Sequence, residues 1–222
     1  MCFSAGASFT SGVVLTVIGV ATVKKAQQPS EFFFACIPLI FGVQQFSEGI
    51  LWLSLTYPSM LFLQFISSHV FIFFAQVVWP TWVPYALFRM EKNKTRKKTH
   101  AILVGCGVIV SAYLGYCLLV FPVAGYIDGR HISYKQDYPA AYRNPGAVLY
   151  LIATLLPCFF STVKRMWVLA VAILVSYIIT RLFYTEYTIS VWCFFASIIS
   201  IAVWLIMREI KIAQFPNLMR KA

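Results

Sequence analysis

The stretch KNKTRKKTHAILVGCGVIVSAYLGYCLLVFPV, residues 92–123, decides the fold. Basic side chains crowd its first seven positions, and no charged residue occurs from Ala101 to Val123. A helix rising 1.5 Å per residue needs about 20 apolar residues to cross a hydrocarbon core of ~30 Å. Residues 101–123 are therefore predicted to cross a membrane, and the basic run marks the end retained on the cytoplasmic side. Six further stretches of this kind run roughly over 5–23, 32–55, 60–82, 146–163, 167–185 and 188–207. The expected fold class is all-α: a bundle of seven transmembrane helices forming one integral membrane domain over 1–222, with a single sizeable external loop at 124–145.

Composition agrees. The chain is 60% hydrophobic and 11% charged, against about 45–50% apolar and about 25% charged in a soluble domain. Its mean hydropathy of +0.79 leaves too little polar surface to cover a water-soluble globule. A cytosolic enzyme, a DNA-binding domain and a disordered tail are excluded. The net charge of +11 is a topology signal and not a nucleic-acid footprint, which would interleave basic and aromatic residues on a folded face; 92–98 reads instead as one short loop.

Lys24, Lys25, Arg89, Lys92, Lys94, Arg96, Lys97, Lys98, Lys164, Arg165, Arg208, Lys211, Arg220 and Lys221 fall on one side of the seven spans. Only Arg130, Lys135, Arg143 and Arg181 fall toward the other. The bias predicts an N-terminus outside and a C-terminus in the cytoplasm. Aromatic belts are expected at the inner boundary (Trp79, Trp82, Tyr85, Trp167, Trp204) and the outer one (Trp52, Tyr57, Tyr126, Tyr184, Tyr187, Trp192). No basic region precedes the first apolar run, so span 1 is expected to stay in the mature protein. Its Ser8, Gly12 and Gly19 would let a neighbouring helix approach closely. In the external loop, Asp128-Gly129 between short apolar flanks signals a type I′ hairpin, either a lid over the bundle or a plain connector.

Ionisable residues inside spans carry the functional signal, because each costs at least ~2.5 kcal/mol at the helix centre. They are Glu48, His69 and Arg181. Gln44, Gln45, Glu48 and Trp52 recur at helical spacing on one broad face, which must point into the bundle. Pro38 is expected to kink the helix that carries them. Arg181 has Tyr177 and Tyr184 beside it, and Glu48 is its natural counter-ion at similar depth. Two readings stay open for that pair: a staple between helices, or a binding site whose Arg181 recognises an anionic or carbonyl-bearing ligand while Glu48 titrates. Ser190, Cys193, Ser197 and Ser200 form a small polar stripe that favours helix contact.

The ligand-binding candidates are thus Glu48, Arg181, Gln44, Gln45, His69, Trp52, Tyr177, Ser190, Trp192 and Cys193. No cysteine spacing makes a metal motif, no cofactor is implied, and the weak metal candidates are Cys2 and His69. The expected function is small-molecule or ion binding and transport, with the lipid bilayer as partner. Its alternatives are an intramembrane enzyme using Cys2, His69 or Glu48, or a structural or sensory subunit.

The blocks Met1-Cys2-Phe3-Ser4-Ala5, Gln44-Gln45-x-x-Glu48-Gly49-x-x-Trp52, Trp79-Pro80-x-x-Val83-Pro84 and Ser190-Val191-Trp192-Cys193-Phe194-Phe195-Ala196 resemble those of an uncharacterised family of small bacterial integral membrane proteins. They cover under a fifth of the chain, spread from the first span to the last. The resemblance implies a bacterial inner-membrane protein and carries no activity, substrate or cofactor with it.

Overall fold

The computed structural model describes residues 4–57, 59–139 and 143–219, and their side chains apart from those at 143–145, 193, 194, 196, 197 and 215–219. The described chain is mostly helical, with one hairpin. Its elements are α1 (Ala5–Val23), α2 (Phe32–Ala35), α3 (Ile37–Leu55), α4 (Leu61–Ile72), α5 (Trp79–Met90), α6 (Lys94–Val120), β1 (Val123–Asp128), β2 (His131–Gln136), α7 (Arg143–Phe160), α8 (Met166–Phe183) and α9 (Thr188–Met219). Five helical segments are long and apolar enough to cross a membrane: Ala5–Val23, Phe32–Leu55, Leu61–Met90, Lys94–Val120 and Met166–Phe183. Gly146–Phe160 is apolar but shorter.

Local chemistry explains the interruptions. Ser4 caps α1, its Oγ accepting from the Ala7 N–H at 3.2 Å. The kink expected at Pro38 is a break at Cys36, between α2 and α3, with Pro38 in the first turn of α3. Between α4 and α5 the backbone widens into a π-helical stretch, Phe73–Val78. Pro80 offers no N–H to the Gln76 carbonyl four residues back, and its ring crowds that carbonyl, so the turn opens. The basic run is not a loop: with Asn93 capping Thr95 and Arg96, residues from Lys94 onward form the first turns of α6. Lysine and arginine are good helix formers, so the helix outruns its apolar segment.

Small residues set the closest seam. Added Cβ atoms would meet the Phe46 ring at 3.0 Å from Gly12, the Leu39 side chain at 2.6 Å from Gly19 and the Phe9 ring at 3.0 Å from Gly49. Helices α1 and α3 therefore touch along their whole length, as small residues permit inside a bilayer. At the crossing of α5 and α6, Pro84 leaves the Pro80 carbonyl without its helical donor. Gly107 lies against that oxygen, and a Cβ there would fall on it.

The loops carrying most basic residues gather at one end. There Glu91 accepts from the Thr162 N–H at 2.8 Å and hydroxyl at 2.7 Å, Gln214 donates to Glu31 at 2.6 Å, and Arg165 pairs with Glu209 at 2.6 Å. Glu91 is buried, yet its carboxyl is held below the usual range: burial pushes it up, and the donors from Thr162 and Asn93, helped by His100, outweigh that. The hairpin closes the other end. Its antiparallel register sets Asp128 opposite His131, leaving the two-residue turn Gly129-Arg130. Gly129 has φ +60° and Arg130 does not enter the positive region. That is the type II′ pattern, and it corrects the expected type I′ turn, which needs two positive φ values.

Candidate functional site

A cavity of about 470 Å³ runs through the half of the bundle away from α1. Its walls come from α3, the π stretch, α5, α6, α7, α8, α9 and β2. One straight stripe of α8 lines it, Leu169, Ile173, Tyr177 and Arg181, at intervals of four residues. The deep part is apolar, with Ile37, Val83, Leu169, Ile199 and Val203. Polar groups appear toward the hairpin: Gln76, Gln136, Arg181, Thr185 and Glu186.

Bulky rings hold the walls apart, and Trp79, Trp192 and Tyr150 are each fixed by a hydrogen bond. Trp79 stacks on Phe41 at 3.9 Å and donates its indole N–H to Gln44 Oε1 at 2.9 Å. Trp192 donates to Ser176 Oγ at 2.9 Å and meets Tyr177 edge-on at 5.6 Å. The π stretch frees carbonyls that side chains then satisfy. Tyr150 donates to Ala75 O at 2.7 Å, and Ser111 to Val77 O at 2.6 Å. Gln76 and Gln136 exchange two amide hydrogen bonds, 2.5 and 3.1 Å, linking the hairpin to the π stretch.

The hairpin is pinned over this end. Tyr134 stacks on Phe71 at 4.9 Å, and Ile132 is fully buried against Leu51 and Trp52. Tyr187 donates to Asp128 Oδ2 at 2.7 Å, and its ring lies on His131 at 4.6 Å. Burial pushes the His131 imidazole below its ordinary value, against the pull of Asp128. The hydrogen bond to Asp128 holds the Tyr187 phenol above its ordinary value.

Four of the residues singled out in the sequence line the cavity: Gln44, Tyr177, Arg181 and Trp192. Glu48 is fully buried one turn beyond Gln44, and Ser190 Oγ donates to its Oε1 at 2.7 Å. The expected Glu48–Arg181 pair is not formed among the described residues. Helix α3 packs along α9, and α9 along α8, so Glu48 meets α9 first. Arg181 is exposed at the cavity mouth. Gln45 is buried with its Nε2 unpartnered, and its spacing from Gly42 and Gly49 puts it on the α1 face. Trp52 packs under the hairpin. His69 is half-buried, its Nδ1 2.8 Å from the Phe65 carbonyl of its own helix. Gln45, Trp52 and His69 do not line the cavity. Cys2 and the side chain of Cys193 lie outside the described residues.

Sequence reasoning passed over Gln76, Gln136 and Tyr150, and it assigned Trp79 to a boundary belt alone, whereas Trp192 was placed both in a belt and among the ligand-binding candidates. A glutamine in the middle of an apolar span was a usable signal. Its cost unpaired would match that of other buried polar groups. The two tryptophans are drawn inward because Gln44 and Ser176 supply acceptors for their N–H groups. Among the described residues no group of three or more His, Cys, Asp or Glu side chains is placed to hold a metal.

Residues 1–217 match the family described as "Family of unknown function (DUF6629)". No curated protein and no solved structure matches the chain.

Proposed function

We propose the following for the chain, which belongs to the DUF6629 family of unknown function: it is a seven-pass inner-membrane protein that binds a small molecule in the cavity between α3, α5, α7, α8 and α9. The N-terminus lies outside and the C-terminus in the cytoplasm, so the cavity faces outward, as the basic-residue bias requires. The carrying observation is the cavity itself. Its 470 Å³ falls in the ~300–1,000 Å³ range of ligand sites, and its apolar walls with a few fixed polar groups are the usual make-up of one. Gln44, Tyr177, Arg181 and Trp192 contact the ligand. Glu48 acts from behind the wall: through Ser190 it sets the register of α9 and so the place of Trp192.

The test is chemical. Protein purified without added ligand, and a Thr154→Trp variant that fills the cavity, are extracted and compared by mass spectrometry. A small molecule enriched with the native chain and lost from the variant supports the reading; identical extracts contradict it. A Glu48→Gln chain is expected to bind with an unchanged pH response, since its carboxylate does not touch the ligand. A pH response that flattens would return Glu48 to the site.

A further inference from the structure

We propose that the cavity takes a long hydrocarbon chain ending in an anionic head group, the chain lying along α8 and the head at Arg181. This rests on the small-molecule reading above and narrows it to one chemical class.

Three observations carry it. The first is shape. From Leu169 to Arg181 the lining stripe of α8 spans twelve residues, about 18 Å at 1.5 Å each. Spread over that length, 470 Å³ makes an elongated slot, a shape that suits an extended chain better than a compact solute. The second is the gradient along the slot. Ile37, Val83, Leu169 and Val203 make its deep end apolar. A molecule polar at both ends would leave a polar group unpaired there, which is costly.

The third is charge. Arg181 stands where the apolar stripe ends and makes no ion pair among the described residues. A carboxylate or phosphate head there gains charge-assisted hydrogen bonds from a planar guanidinium, the donor best shaped for it. Glu186 also lines the mouth. Its negative charge opposes an anionic head, which gives the proposal a second, oppositely signed handle. The same chemistry belongs to a free fatty acid and to one chain of a phospholipid.

The probe is tritiated hexadecanoate, with binding read by scintillation proximity on protein in phosphatidylcholine nanodiscs after subtraction of empty discs. Saturable binding is expected, weakening as the chain is shortened to octanoate. Arg181→Gln, a change at an exposed residue that leaves folding untouched, should weaken it roughly 10- to 100-fold, as loss of a hydrogen bond to a charged group does. Glu186→Gln should strengthen it by a few-fold. Leu169→Trp, which plugs the deep end, should weaken hexadecanoate and spare octanoate.

Competition separates the sources. Displacement by lysophosphatidylglycerol but not by dioleoylphosphatidylglycerol assigns the site to single-chain amphiphiles, and equal displacement by both assigns it to bilayer lipid. Absence of saturable binding, binding indifferent to chain length, or an Arg181→Gln chain that binds as well as the native one would overturn the proposal. If amphiphiles fail while a cysteine placed at Ile173 reacts with a small thiol reagent, this proposal falls and the small-molecule reading stands. If the cysteine is also unreactive, both fall.

Discussion

Two seams of the same bundle are built from opposite materials. Between α1 and α3 the facing residues include Gly12, Gly19, Gly42 and Gly49, and the side chains of Phe9, Leu39 and Phe46 fill the space these leave. Between α3, α5, α7, α8 and α9 the facing residues include Phe41, Trp79, Tyr150, Tyr177 and Trp192, and a cavity of about 470 Å³ remains. Lipid tails are as apolar as leucine, so hydrophobicity alone draws neither seam shut. Residue size decides. Small residues bring backbones into contact, and large rings, with Trp79, Tyr150 and Trp192 pinned by hydrogen bonds, keep the walls apart.

The largest break should come where no space exists at all. Gly107→Val puts a side chain onto the Pro80 carbonyl, and overpacking against backbone costs about 3 kcal/mol or more. Little folded protein should be recovered, judged by size-exclusion chromatography in detergent.

One substitution made in both seams sharpens the contrast. Gly19→Ala drives a Cβ to 2.6 Å from Leu39 and 2.8 Å from its backbone nitrogen, an expected loss of about 1–3 kcal/mol. Gly146→Ala meets nothing within 4 Å on the cavity side and gains helix propensity of up to about 1 kcal/mol. Thermal unfolding should therefore shift down for the first and stay level or rise for the second. Equal shifts would dissolve the distinction between the seams.

Ser190→Ala is expected to cost about 1–3 kcal/mol, because a buried carboxylate oxygen of Glu48 loses its 2.7 Å donor. The same unfolding assay reads it. Its double variant with Glu48→Ala should recover part of the loss if the two groups act as a unit.

The smallest effect belongs to the basic end. Glu91 has a depressed carboxyl pKa in the folded chain, so its contribution is present above the ordinary carboxylate range. It is lost as pH falls through the lowered folded value. Unfolding temperature should drop on acidification below that range, and Glu91→Gln should flatten the dependence while lowering stability at neutral pH. A pH profile unaltered by the substitution would rule out this role.

How much of this was legible follows from which forces act locally. Pro38 as a helix interruption, Gly12 and Gly19 as contact points and a hairpin signalled by Asp128-Gly129 all depend on a few neighbouring residues, and all could be read from the chain. The cavity depends on partners far apart in sequence. Trp79 was read as a boundary residue because its acceptor, Gln44, lies 35 positions away. Gln76 found its partner Gln136 across 60 positions. The pairing of Glu48 with Arg181 was a sound inference from depth alone, but depth does not say which helix is the neighbour. Helix α9 is, and Ser190 takes the place assigned to the arginine. Glu91 was missed because it sits just past the end of a helix, where capping geometry and not membrane depth decides its worth.

One stripe of α8 lines a slot entered from the hairpin end. Single cysteines at Leu169, Ile173 and Tyr177, and at the exposed Ile178 as a lipid-facing reference, introduced into a chain with its six native cysteines replaced, test it with a small charged thiol reagent. Position 177 should react fastest, 173 more slowly and 169 slowest, with 178 unreactive. Reaction at 178 together with silence at 173 and 177 would contradict it.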